Sequence, residues 1–286
     1  MSTRNNEDRT GAAPSEDTPV TTNTNAHGSG DAFSYVVPTE HVELPSEGKY
    51  YPEGHVLHNQ QTIEIKYMTA KDEDILTSPS LLKKGLALDR LLQSVIVDKS
   101  IKAQELYIGD KNALLVSSRI TGYGSDYNVT VTCPMCGTNS KSDFNLEESK
   151  KIKHTEICEG VQHVRGDLFF TVLPKTQVGV EFSLLTGADE RRIVQMTEAK
   201  KKKDLQETPL TDQLRMVMRT VNGSNRPEDI NNLVMNMPAL DGRHLRKMFA
   251  SVSPDIQLVN THTCGTCGEQ EEVELPLTAE FFWPKQ

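Results

Sequence analysis

Two short segments of the chain carry one pattern, Cys133-Pro134-Met135-Cys136-Gly137 and Cys264-Gly265-Thr266-Cys267-Gly268. Two residues between cysteines let both sulfurs face one metal from a tight turn. The glycine that follows accepts the positive φ needed as the chain doubles back. Between Cys136 and Cys264 lie 127 residues. If the four sulfurs share one ion, both segments must meet in space, and everything between them becomes an insertion closed by the metal.

Alternating residues flank both segments: Tyr127, Val129 and Val131 before the first, and Glu271 to Leu275 after the second. Strand, knuckle, strand, twice over, reads as a zinc ribbon with Cys133, Cys136, Cys264 and Cys267 as ligands. Rubredoxin-type iron uses the same ligands, but nothing else in the sequence points to electron transfer, so zinc is expected. Three other readings compete. Each pair is a redox dithiol, although such motifs sit at strand-to-helix junctions. Each pair holds its own metal with help from His262, His154 or His163. Or the cysteines are unrelated. Four protein ligands leave no position for water or substrate, so a shared site is structural and argues against a zinc hydrolase. Cys158, the fifth cysteine, is expected as a buried free thiol.

The 286 residues suffice for one large or two modest domains. The formal net charge of −9 makes the chain a poor default binder of nucleic acid. No apolar run approaches the roughly 20 residues that span a bilayer. No secretory signal pattern opens the chain, so a cytoplasmic location is expected. Residues 1–30 hold only five apolar residues, all Met, Ala or Val, and 18 drawn from Ser, Thr, Asn, Gly and Pro. Such a segment cannot bury enough surface to offset its conformational entropy, and a disordered tail over 1–35 is expected.

The fold class expected is α+β: an α/β segment over 36–125, a discontinuous ribbon over 126–146 and 258–280, and a mainly helical insertion over 147–257. Residues 42–52 read as extended, with turns at Pro45 and Gly48, and 61–67 as a strand with Ile63, Ile65 and Tyr67 on one face. Ser78-Pro79 opens a helix over roughly 80–97, with Leu81, Gly85, Leu88, Leu92 and Val95 along one face. A shorter helix covers 110–120. Thr186 and Asp189 resemble a capping box. Leu214, Val217, Met218 and Val221 have helical spacing, as do Leu245, Met248, Phe249 and Val252 after Asp241 as cap. Pro227 starts a helix carrying Ile230, Leu233 and Val234.

No phosphate loop, dinucleotide fingerprint, zinc-protease or nucleophile-elbow motif occurs. Lys200 to Lys203 read as a solvated helix C-terminus rather than a phosphate contact. Asp72, Glu73 and Asp74 read as a solvated helix N-terminus rather than a metal site. No enzyme and no small-molecule substrate is expected. The closing residues, 281–286, bring together Phe281, Phe282 and Trp283. They either fold back on the core or anchor a partner.

Several stretches together resemble the baseplate hub and hub-assembly proteins of T-even-like contractile-tailed bacteriophages. They are Leu44-Pro45-Ser46-Glu47-Gly48-Lys49-Tyr50-Tyr51-Pro52, Met68 through Leu76, Lys84-Gly85-Leu86-Ala87-Leu88-Asp89 and Gly109-Asp110-Lys111-Asn112-Ala113. The two knuckles and Phe281-Phe282-Trp283-Pro284 complete the likeness, which covers roughly 42–286. The resemblance implies a hub component or assembly factor that acts through contacts with other baseplate or tail proteins. It implies the host cytoplasm during assembly, with the virion tail as a further location. It brings no catalytic residues. A nucleic-acid-binding zinc ribbon is the alternative, and a thiol redox enzyme using Cys133 and Cys136 a third.

Overall fold

The computed structural model describes residues 37–206, 208–275 and 279–282. The expected tail over 1–35 and Trp283 lie outside them. Strand β1 (Thr39–Glu43) pairs antiparallel with β2 (Thr62–Lys66), and the 18 residues between them run as successive turns. Val42, Ile63 and Ile65 point inward, as their alternation predicts.

Helix α1 (Ala70–Thr77) comes first, and the expected helix over 80–97 is two pieces, α2 (Pro79–Lys83) and α3 (Ala87–Val95). Thr69 and Asp72 form a reciprocal capping box at the start of α1, so Asp72 is buried rather than solvated. The break between α2 and α3 is a Schellman turn. Gly85 takes φ +64°, its N–H donates to Leu82, and the Leu86 N–H donates to Leu81. The apolar spacing runs unbroken through this glycine, but the buried face of α3 is Ala87, Leu91, Leu92 and Val95.

Helix α4 (Ile108–Tyr123) is longer than expected and lies at the centre, packed against α3, β1 and elements from the far end of the chain. Strands β3 (Asp126–Thr132) and β4 (Asn139–Asn145) form the first knuckle hairpin. The short α5 (Leu146–Ser149) and β5 (Lys150–Lys153) follow.

Beyond α5, the region between the knuckles is helical only from residue 187. Its first third forms β6 (Val161–Arg165), β7 (Leu168–Val172) and β8 (Gly179–Ser183). Helices α6 (Gly187–Lys202) and α7 (Pro209–Val217) come next, and the capping box of Thr186 and Asp189 is present. The helix carrying Leu214 and Val217 ends there. Met218–Val221 is instead strand β9, which closes the antiparallel sheet β6-β7-β8-β9. Pairing with the open edge of β8 satisfies its backbone where a further helical turn would leave that edge bare.

Helices α8 (Pro227–Asn236) and α9 (Ala239–Val252) match the expected periodicity. Pro238, not Asp241, caps α9. The buried Asp241 carboxylate accepts from the N–H groups of Lys175 and Thr176 and from the Thr176 hydroxyl, which fastens the β7–β8 turn to the helix. Strand β10 (Asp255–Thr263) pairs with β5 on one side and β11 (Gln270–Glu274) on the other. A 3₁₀ turn, Ala279–Phe282, follows. One hydrophobic cluster runs from Val42 to Phe282, and the residues from 37 onward form one compact unit. The fold is α+β. Among the described residues no helix is long and apolar enough to cross a membrane.

Candidate metal centre

Each knuckle sits at the tip of an antiparallel hairpin, just past its last pair: Thr132 with Asn139, and Thr263 with Gln270. The two turns share their hydrogen bonds. The Cys133 N–H donates to the Thr138 carbonyl (3.0 Å) and the Gly137 N–H to the Cys133 carbonyl (2.8 Å). In the second, the Cys264 N–H donates to Glu269 (2.8 Å) and the Gly268 N–H to Cys264 (2.9 Å). Gly137 and Gly268 take φ +69° and +74°, the left-handed conformation their place in the motif predicts. In each pair the first cysteine is buried and the second exposed.

The hairpins bring all four sulfurs within 4.8 Å of one another. Cys133 and Cys267 sulfurs are 3.6 Å apart, and Cys136 and Cys264 sulfurs 3.7 Å. A tetrahedral ion with metal–sulfur bonds of about 2.3 Å sets that edge at roughly 3.8 Å. The spacing therefore fits one metal ion held by four thiolates.

The local electrostatics favour thiolates, but not four of them unaided. The Thr138 hydroxyl and backbone N–H hold the Cys136 thiol down at about 6. The backbone N–H groups of Cys267 and Thr266 lower Cys264. For Cys267 the Glu269 N–H pulls the same way, but desolvation and the other sulfurs push its pKa up to about 12. Like charges this close cannot all persist without a cation between them.

None of the three histidines considered as ligands joins the cluster. The buried His262 ring bonds the Ser142 hydroxyl (2.9 Å) and the Ser140 hydroxyl (3.1 Å), which ties β10 to β4 beneath the knuckles. His154 bonds the Pro45 carbonyl and His163 the Gly166 carbonyl. Cys158 is a half-buried free thiol, 3.3 Å from the Ser251 hydroxyl and 3.9 Å from the Met248 sulfur. The knuckles lead into strands rather than helices, unlike the redox motif.

Phe281 and Phe282 are buried in the chain's own core. The Phe281 carbonyl accepts from the Arg119 Nε (2.8 Å), and its ring meets Tyr127 edge-on at 5.4 Å. As they sit, these two rings are not offered to a partner. Arg119 is itself wholly buried and also donates to the carbonyls of Gly124 and Asp126. Of the lysine run, Lys200 is 2.5 Å from both the Asp212 carboxylate and the Thr208 hydroxyl. It serves the α6–α7 corner.

A second polar cluster, at the start of α4, has no local signal in the sequence. The buried Asp110 carboxylate accepts from the Ser46 N–H (2.9 Å), the Ser46 hydroxyl (2.6 Å) and the Tyr51 hydroxyl (2.8 Å). Burial nevertheless raises the Asp110 pKa. Beside it Lys111 bridges Asp89 (2.9 Å) and Glu190 (2.7 Å), and Arg191 also engages Asp89. Burial alone would lower Lys111, but the two carboxylates raise it. Asp89 in turn is lowered, because Arg191 and Lys111 outweigh its desolvation. Asn112 bonds Asp255 at the start of β10 (3.0 Å). Three of the stretches that carry the family resemblance thus meet at one helix terminus.

Fold and site together define an α+β protein whose two distant hairpins converge on four thiols. The chain belongs to the T4 bacteriophage base plate protein family, whose model matches residues 37–283. It is a component of the baseplate and works among other phage tail proteins. No curated protein matches it. No solved structure matches it either.

Proposed function

We propose that the chain is a hub component or hub-assembly factor of the baseplate, and that it acts through protein–protein contacts while one structural zinc holds its ribbon together. The observation that carries this reading is the family match over 37–283, joined to a four-thiol cluster with tetrahedral spacing. Four sulfurs fill the coordination sphere, so the metal serves folding rather than catalysis. The charged clusters outside it, around Lys111 and Asp212, are consumed in internal ion pairs, which supports a non-enzymatic role. Assembly in the host cytoplasm follows from the same reading.

Peptide mass spectrometry of purified virions beside infected-cell lysate tests it. Peptides at a fixed ratio to tail proteins assign a permanent hub subunit. Presence on tail intermediates but not in virions assigns an assembly factor. Absence from both overturns the reading. Metal analysis of the purified protein should return one zinc per chain; iron or no metal would contradict the structural zinc. Salt-sensitive DNA or RNA binding would revive the nucleic-acid alternative, against which stand the net charge of −9 and the engagement of Lys200.

A further inference from the structure

The ribbon leaves two strand edges open beside each other. Among the described residues β3 pairs only with β4, and β11 only with β10. A groove of about 370 Å³ runs between them, lined by residues 129–132 and 271–275. Val129, half-buried, and Val131 share the face of β3 that carries Tyr127. Their cross-strand partners Ser142 and Ser140 are the residues bound by His262, so this face turns toward the second hairpin. Phe281 already covers its Tyr127 end, and residues 129–132 lie beyond.

Sheet edges are normally blunted by lysine, proline or a bulge. The β5 edge carries Lys150, Lys151 and Lys153, and β6 has a register shift between His163 and Arg165. The seven residues of β3 contain none of these devices. Facing it, β11 places Glu271, Glu272 and Glu274 in five residues. Of these only Glu272 has an ion-pair partner among the described residues, the exposed Lys151 at 3.6 Å. The sole charge on β3 is Asp126. An acidic wall beside an open edge and an apolar slot suits a cationic strand and repels both nucleic acid and a second copy of the same edge.

We infer that the groove between β3 and β11 receives an extended segment of a partner protein that alternates apolar residues with lysine or arginine. The segment adds to the β3 edge through its backbone, seats its apolar side chains over Val129 and Val273, and sets its cations against the glutamates. This names the kind of partner for the baseplate reading and rests on it.

The test titrates the full zinc-loaded chain with a synthetic eight-residue peptide of alternating Val and Lys, read by backbone amide NMR. A Val–Glu alternate and a Val–Lys peptide in block order serve as comparisons. Expected are shifts confined to 129–132 and 271–275 with the alternating Val–Lys peptide, weakening as salt shortens the screening length. Val129→Lys should weaken binding by about tenfold or more through the blocked edge. Glu274→Lys, on an exposed side chain, should weaken it severalfold while keeping its zinc and melting temperature. No shift in these strands, or equal binding of the Val–Glu peptide, overturns the proposal. So does a wild-type dimer that Val129→Lys converts to monomer, since that assigns the groove to a second copy. In phage, reduced incorporation of Glu274→Lys protein into tails that retain the wild type supports the groove. Equal incorporation overturns it and leaves the baseplate reading standing. Wild type missing from every tail intermediate breaks that reading, and the titration still decides the groove.

Discussion

The start of α4 and the tip of the ribbon solve one problem by different chemistry. Both fasten residues far apart in sequence: Ser46 to Asp110 in one, Cys136 to Cys264 in the other. Around α4 there is enough apolar surface to do most of the work. Leu114 and Val116 are wholly enclosed, and the polar contacts of Asp110 and Lys111 choose the arrangement within a packed interior. In the ribbon β11 has no buried residue, and β3 buries only Tyr127 and Val131. Two small hairpins exclude little water between them, and an ion held by the four thiols would supply the cross-link that burial does not. Where burial is plentiful, hydrogen-bonded charge specifies. Where it is scarce, four thiols stand ready for a metal to supply the link.

Substitutions at Cys264, Asp110 and Gly137 press on this contrast, taken from the largest expected effect to the smallest, with Cys158→Ser as a control. Cys264→Ser removes a ligand that closes a loop of more than a hundred residues. It should lower the melting temperature of the whole unit by roughly 10–20 °C and abolish zinc retention. Cys158→Ser should leave zinc content unchanged. A Cys264→Ser protein with normal melting and one zinc would contradict the shared site.

Asp110→Ala orphans three buried donors and should cost about 3 kcal/mol in chemical denaturation at neutral pH. Asp110→Asn keeps acceptor capacity and should cost less. The pH dependence separates them further. Because burial raises the Asp110 pKa, the native state holds this proton more tightly than the unfolded chain. Its contribution to stability therefore declines as pH rises above its unfolded value near 4. The disadvantage of Asp110→Asn should accordingly shrink as the pH is raised from 4 toward neutrality. A constant difference across that range would mean the carboxyl is not held up by burial.

Gly137→Ala is the mildest. A side chain at φ +69° strains one knuckle by about 1 kcal/mol, so zinc should be retained at reduced affinity. Loss comparable to a ligand substitution would mean the turn, not the metal, holds the ribbon.

The ribbon was the most legible part of the molecule, because ligand type, spacing and the trailing glycine all lie within five residues. That Cys133 meets Cys267 follows from chemistry once four thiols need one ion. The capping box of Thr186 and Asp189 was legible for the same local reason. Met218 to Val221 was not, since the residues that continue a helical stripe also suit a sheet edge, and only the presence of β8 decides between them. Gly85 continues the apolar spacing of its neighbours, although its own chemistry favours the break that it makes. The bond from Asp110 to Ser46 spans 64 positions. Nothing in either segment foretells it, and only the resemblance marked both. Phe281 was ambiguous because its anchor, Arg119, is 162 residues away and buried without signal in the sequence.

The shared site also orders events in time. A ribosome adding about 5–20 residues per second needs roughly 6–26 s to pass from Cys136 to Cys264. During that interval the first knuckle offers two thiolates and nothing to complete them. β5 likewise waits for β10, and Arg119 for Phe281. Three separate closures thus all wait for residues beyond 254. A chain cut short anywhere before Cys267 fails at least two of them at once, so an ion bound by the four thiols would act as a seal that only a chain synthesised past Cys267 can accept.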